Sequence, residues 1–264
     1  MGYKLICFDL DGTLLDTDFL LPDSYISVID QLRQRGYRIT IATGRSYVSA
    51  KPYIDALRIT EPMIFSNGSV FENPETGKRE VVMGIPLEWA QKVIALEKEH
   101  PLSLKVHLAG GDILKSKDQP WPDEGIHFAV GEITPNLLEV LRVDPIKIVL
   151  HGTNEEIEDF QAALAPELHE DSPIRMFRTH RHYVEITNSH VSKGSAIRKL
   201  IKMIGIQPEE VVGVGDQEND FELVRDFGLG IRIGDGCEML KPVAQYRLPP
   251  PEEEGLKQLL DILP

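Results

Sequence analysis

Short strand-like runs that break off directly into small polar or acidic clusters constrain this chain most: KLICF (Lys4–Phe8), YRITIA (Tyr37–Ala42) and VVGVG (Val211–Gly215). Successive side chains of a strand point to opposite faces, so a near-continuous apolar run requires cover on both sides. Helices supply that cover when they alternate with parallel strands. The stretch Ser24–Arg35 is patterned as such a helix, with Ile26, Ile29 and Leu32 on one face and Gly36 as a stop signal. A second helix is expected at about Ser46–Leu57, bent or begun at Pro52. PMIFS (Pro62–Ser66) reads as a third strand, halted by Asn67-Gly68. After residue 190 the alternation resumes with helical Ser192–Ile204, VVGVG, helical Asn219–Asp226, the strand LGIRI (Leu229–Ile233) and a last helix at Gly255–Leu263. This order predicts an α/β fold built on an open parallel sheet.

The middle of the chain has another texture. Asn73–Gly77 reads as a hairpin turn between Val70-Phe71 and Glu80–Met83. Beyond Gly84 come a helix (Leu87–His100), a strand (Leu102–Leu108), a loop at Ala109–Gly125, and strands at Pro145–His151, Ile174–Thr179 and His182–Ile186 with a helix at Glu155–Leu164. We expect residues 1–83 and 188–264 to form the α/β core, and residues 84–187 an inserted α+β cap. The loop holding Trp121 either closes over a site or is anchored by a buried indole. PPPEEE (Pro249–Glu254) reads as a surface loop.

The formal net charge of −14 argues against nucleic acid as the main partner, which would need a surplus of Lys and Arg. It leaves small anions open, since a metal ion and one or two basic groups reverse the potential of a cleft. No run approaches the roughly 20 apolar residues that span a bilayer. Two cysteines make a poor disulfide framework, and the N-terminal strand leaves no room for a secretion signal. A cytoplasmic, reduced setting without a membrane partner is expected. Oligomeric state stays open.

The polar clusters at the strand ends carry the chemistry. Asp9 and Asp11 are one residue apart, so strand geometry sends both carboxylates the same way, toward the carboxyl edge where open sheets bind ligands. One carboxylate there can attack phosphorus while the other handles the leaving group's proton. Gly12 allows a sharp turn and Thr13 offers a hydroxyl. Thr43-Gly44-Arg45 opens a helix and presents N–H groups and a hydroxyl to a phosphate oxygen. In GDQEND (Gly215–Asp220), Asp216, Asn219 and Asp220 cluster hard oxygen donors suited to Mg²⁺. Lys193 opens a helix, the end where a cation is unfavourable, so it is placed to neutralise a phosphoryl group. Each motif has a plainer reading: an Asx turn, an N-cap, a helix-start acid run, a surface lysine. Their conjunction favours the chemical one. In the cap, alternation along Arg175–Ile186 puts Arg178, His180 and His182 on one face if the strand is unbroken, either as a specificity patch or as a solvated strand.

DLDGT, TGR, the isolated lysine and GDxxND, in that order, resemble the four motifs of the haloacid dehalogenase superfamily. The insertion between TGR and Lys193, with SNG at Ser66–Gly68, is similar to its Cof-type phosphatase branch. The resemblance implies a Rossmann-like core with a lid, and a Mg²⁺-dependent phosphatase acting on a small phosphorylated metabolite such as a sugar phosphate or phosphorylated cofactor. It implies Asp9 as nucleophile, forming an aspartyl-phosphate, and Asp11 as general acid and then base. Thr43 and Lys193 would bind the transferring phosphoryl group. The metal would be held by Asp9, the Asp11 carbonyl and Asp216, with Asp220 beside them. Thr13, Gly44, Arg45, Asn67 and Asn219 complete the expected substrate-binding set, joined in the cap by Arg178 and His182. A phosphomutase of the same family, a metal-dependent glycosyltransferase using DxD, and a non-catalytic phosphate sensor remain the alternatives at this point.

Overall fold

Leu5–Phe8 (β1) is buried at every position and lies inside a parallel sheet, with a parallel neighbour on each side. In the computed structural model, residues 2–74, 76–117, 131–134, 136–180 and 182–264 are described, with backbone only at 179 and 180. The chain forms two compact units, Met1–Glu80 with Ser192–Pro264, and Val81–Val191.

After β1, helix α1 (Asp23–Gln34) buries Tyr25, Val28, Ile29 and Leu32. Ile29 and Leu32 of the expected face are thus buried, Tyr25 and Val28 join them, and Ile26 lies at the margin. Strand β2 (Arg38–Ile41) pairs parallel with β1. Helix α2 (Tyr47–Leu57) starts on Ser46, whose hydroxyl accepts from Ser49 N, and holds Pro52 in its interior rather than its first turn. Strand β3 (Met63–Phe65) differs from the expected third sheet member. It touches the parallel sheet through one bridge, Ala42 to Ile64, and otherwise pairs antiparallel with β4 (Val70–Asn73) in a small sheet closed by β5 (Lys78–Val81). The cause is the turn after it: Ser66 and Asn67 both take positive φ (50° and 56°), which sends the chain straight back along β3.

The second unit is a six-stranded sheet with helices on one face. In chain order it comprises α3 (Leu87–Glu97), β6 (Ser103–His107), β7 (Ile113–Lys115), β8 (Glu132–Ile133), α4 (Leu137–Val140), β9 (Lys147–His151), α5 (Asn154–Leu164), β10 (Ile174–His180) and β11 (Tyr183–Asn188). The strand order is β10-β11-β9-β6-β7-β8. Alternation puts Leu104, Val106, Ile148, Leu150, Val184 and Ile186 against Val93, Ile94, Ile157 and Phe160 of the helices. It leaves Lys147 and Glu185, paired at 3.0 Å, on the opposite face. β7 lies inside the segment expected to be a loop, and Trp121 lies outside the described residues.

The first unit resumes with α6 (Lys193–Ile204), β12 (Val211–Gly215), α7 (Phe221–Arg225), β13 (Leu229–Ile233), β14 (Tyr246–Leu248) and α8 (Leu259–Ile262). A single 3₁₀ turn, Glu218–Asp220, replaces the start of the helix expected there, and another, Gly255–Gln258, begins the last one. Pro251, in the expected surface loop, is buried. The five parallel strands run β14-β13-β12-β1-β2, all in register-matched parallel pairs. Chain order therefore proceeds outward in opposite directions from the neighbours β1 and β12. Such a reversal opens a crevice at the carboxyl ends of the two strands. Among the described residues no helix is long and apolar enough to cross a membrane.

Candidate active site

Asp9 and Asp216 are the first residues beyond β1 and β12, so strand pairing alone brings them together. The Asp9 N–H donates to Val214 O (3.0 Å), which carries the pairing one residue past β1. The chain then turns: Thr13, Leu14 and Leu15 N–H groups all point at Leu10 O, and Gly12 adopts φ +72°. A β-carbon on Gly12 would lie 2.3 Å from Asp216 Oδ2, so a residue without one is required twice over, for conformation and for space. The turn delivers Thr13, whose hydroxyl donates to Asp216 Oδ1 at 3.0 Å, while Gln217 Nε2 donates to Oδ2 at 3.0 Å.

Lys193 enters from a third direction. Ser192 caps α6 by accepting from Ser195 N, and Lys193 is the first helical residue. Its ammonium, wholly buried, donates to Asp220 Oδ1 at 2.7 Å and stands 2.8 Å from Asp9 Oδ1 as an ion pair. The other oxygen of Asp220 accepts the N–H groups of Asp216 (3.0 Å) and Gln217 (3.1 Å). Asp220 thus braces both the lysine and the loop after β12.

Asp9, Asp216 and Asp220 each present an oxygen within 4.8 Å of the others. Three buried carboxylates face one ammonium. Burial, first, pushes the Asp9 carboxyl well up, against the pull of Lys193 and with Asp220, Asp216 and Asp11 adding to the rise. Burial and then Asp220 push Asp216 up to about 7. Burial works to pull the Lys193 ammonium down, but Asp220 and Asp9 outweigh it and its pKa is raised. Burial also drives the neighbouring Cys7 thiol well up, which makes it an inert core residue rather than a nucleophile. A donor set of hard oxygens short of positive charge fits a divalent cation such as Mg²⁺. All three can offer an oxygen to it. Asp220, however, is wholly buried and accepts from the Lys193 ammonium and two backbone N–H groups, whereas Asp216 accepts only from the side chains of Thr13 and Gln217, so Asp220 also serves as the brace.

The turn at Thr43 is built beside this cluster's loops. Thr43 N donates to Ile64 O (3.0 Å), its hydroxyl accepts from Arg45 N (3.1 Å), and its carbonyl accepts from Asn67 N (3.0 Å). Asn67 Oδ1 accepts from Asn219 Nδ2 at 2.9 Å, joining SNG to GDQEND. Gly68, at φ +108°, passes so close to the cap of α6 that a β-carbon would lie 2.3 Å from Ser192 O. Gly44 lies against Asn67 in the same way, its β-carbon position 3.1 Å from Oδ1. The side chain of Arg45 goes to Asp11, with contacts of 2.5–3.0 Å.

The cap residues behave otherwise. The ladder shifts register between Arg178 and His180, and Tyr183 begins a separate strand antiparallel to the first. The condition of an unbroken strand is not met, and the shared face expected for Arg178, His180 and His182 does not follow. Arg178 donates to Asn154 Oδ1 (2.6 Å) and lies 3.6 Å from Glu158, while His182 Nδ1 is 3.0 Å from Gly152 O. The sequence reading missed Gln217, Phe19 and Tyr53, the last two of which flank the Arg45 guanidinium at 5.3 and 5.0 Å. No residue pattern marks Phe19 or Tyr53 as a neighbour of the Arg45 guanidinium.

Residues 6–260 match the family described as haloacid dehalogenase-like hydrolases. The chain is 26% identical to the 5-amino-6-(5-phospho-D-ribitylamino)uracil phosphatase YitU of Bacillus subtilis, over 97% of this chain and 96% of that protein. It is 27% identical to the HMP-PP phosphatase of Serratia proteamaculans, over 90% and 86% respectively. The structure of a haloacid dehalogenase-like hydrolase from Bacteroides thetaiotaomicron superposes with a TM-score of 0.86 at 22% identity, covering 99% of each chain.

Proposed function

The chain belongs to the haloacid dehalogenase-like hydrolase family, and on that premise we propose that it is a Cof-type phosphatase that uses Asp9 as its nucleophile. It is a phosphoric monoester hydrolase. The observation that carries the assignment of roles is the meeting of Lys193, Asp9, Asp216 and Asp220 in one buried cluster at the β1–β12 crevice. A buried lysine held between two buried carboxylates has a structural cost, which phosphoryl-transfer chemistry explains.

In the first step an Asp9 carboxylate oxygen bonds to phosphorus as the ester P–O bond breaks, and Asp11 gives its proton to the departing oxygen. In the second, a water oxygen bonds to phosphorus, its proton passes to Asp11, and the Asp9 carboxylate leaves. Lys193 and Thr43 hold the non-bridging oxygens throughout, the first by charge and the second by its hydroxyl. Asn219 and Asn67 keep the turn and the GDQEND loop in one arrangement. A divalent cation, which we take to be Mg²⁺, would be held by Asp9, Asp216 and the Asp11 carbonyl. Bound there it would offset the repulsion between two anions, about 4 kcal/mol at 4 Å and an effective dielectric near 20.

The substrates named for the two curated relatives support a small phosphorylated metabolite as substrate, with selectivity carried by the inserted unit. Both cysteines are free, which supports a reduced, cytoplasmic setting. The test is phosphate release from a panel of phosphorylated metabolites and p-nitrophenyl phosphate, with Mg²⁺ and with chelator, for the wild type and Asp9→Asn. Turnover by the wild type that survives either the substitution or the chelator unchanged would defeat the proposal.

A further inference from the structure

Arg45 spends its whole fork on Asp11. Nε lies 3.0 Å from Oδ1 and 2.9 Å from Oδ2, and Nη2 lies 2.5 Å from Oδ1. The third nitrogen, Nη1, donates to Ser49 O at 3.3 Å. The guanidinium is packed between the rings of Phe19 and Tyr53, and these two are joined by the Tyr53 hydroxyl donating to Phe19 O at 2.9 Å. The arginine side chain is 9% exposed and the Asp11 side chain 40%. A locked cation therefore sits behind a carboxylate that faces solvent.

A carboxylate on a turn would otherwise sample several rotamers, and proton transfer needs it within hydrogen-bond reach of the reacting oxygen. A planar fork fixes both the direction and the plane of the carboxylate, which a point charge would not. It also leaves a choice of atom. A carboxylate offers about four lone-pair sites; the fork takes two on Oδ1 and one on Oδ2, so the remaining site is on Oδ2. The backbone of the same arginine closes the Thr43 turn, through Arg45 N to Thr43 Oγ1 (3.1 Å) and Ser66 N to Arg45 O (2.9 Å). One residue thereby ties the phosphoryl-binding turn to the proton-transfer carboxylate.

We propose that Arg45 is a positioning residue that aims Asp11 for proton transfer through Oδ2, rather than a group that binds the substrate. The inference rests on the reading of Asp11 as acid and base. In the first step the proton leaves Oδ2 for the ester oxygen as the P–O bond breaks; in the second, Oδ2 takes the proton of the attacking water.

Leaving-group dependence tests it. A p-nitrophenolate departs without a proton, whereas a sugar alkoxide needs one, so misaiming the acid penalises the sugar ester selectively. Arg45→Lys keeps the charge but loses the fork; Arg45→Gln loses both, and circular dichroism melting establishes that each is folded. For both variants kcat/KM on the sugar monophosphate that the wild type hydrolyses fastest is expected to fall by about tenfold or more beyond any fall on p-nitrophenyl phosphate. Equal losses on both esters, or a rise in KM on both with kcat unchanged, would overturn the positioning role. A folded Arg45→Lys protein that behaves as wild type would overturn it equally. A wild type inert to both esters would instead overturn the phosphatase reading, and this inference with it.

Discussion

Lys193 Nζ stands 2.8 Å from Asp9 Oδ1, and the lysine side chain is wholly excluded from solvent. An ion pair at that depth stabilises little in net terms, because desolvation of both partners offsets their attraction. Removing one partner is the informative change. With Lys193→Met, Asp9 and Asp220 face each other with no cation between them. We expect a loss of about 3–5 kcal/mol in chelator by denaturant unfolding, together with loss of phosphatase activity. Lys193→Arg should not restore either, since the planar group does not fit a slot made for an ammonium.

Asp9→Asn separates chemistry from stability. The amide keeps the shape but is no nucleophile, so phosphate release should fall by about 10⁴-fold or more. Burial works against the native carboxylate, so its neutral replacement should melt no lower than the wild type in chelator. A folded variant with near-native turnover would remove Asp9 from the mechanism.

Stability and metal binding should both depend on pH through Asp216. Burial and then Asp220 push it up to about 7, so the folded protein holds a proton that the unfolded chain releases near the ordinary value of about 4. The stability linked to this group is full below about pH 4 and is lost as pH rises through about 7. In chelator the melting temperature should therefore fall between about pH 5 and pH 8, and Asp216→Asn should flatten that fall. Mg²⁺ must displace the proton, so it should raise the melting temperature more at the higher pH. A chelated protein whose melting point climbs over this interval would contradict the assignment.

Two glycines with positive φ allow the site to be probed apart from the backbone. Gly12→Ala forces a β-carbon to 2.3 Å from Asp216 Oδ2, whereas Gly36, at φ +95°, has nothing within 4 Å. Both substitutions should cost about 1–2 kcal/mol of conformational strain in thermal melts. Only Gly12→Ala should also weaken Mg²⁺ binding in calorimetry and depress kcat.

The alternation of strands and helices, and the placing of Asp9, Thr43 and Asp216 just beyond strand ends, were determined by the sequence alone. Those features follow from side-chain periodicity and turn residues, which act within a few neighbours along the chain. Tertiary structure decided which of these ends meet, and at which atom. Asp220 falls in the carboxylate cluster as expected, and only packing shows that its two oxygens also brace Lys193 and the Asp216 loop. Arg45 was expected among the substrate-binding residues, and its guanidinium lies on Asp11, a pairing that no local pattern shows. PMIFS read as a third strand of the alternating series, but the left-handed turn at Ser66-Asn67 turns the chain back on it and gives it an antiparallel partner, Val70–Asn73. The short strands Ile113–Lys115 and Tyr246–Leu248 have too few residues to show a period, and pairing with a distant neighbour defines them. Each of these outcomes depends on groups far apart in sequence sharing space in a packed interior, an energy no local pattern encodes.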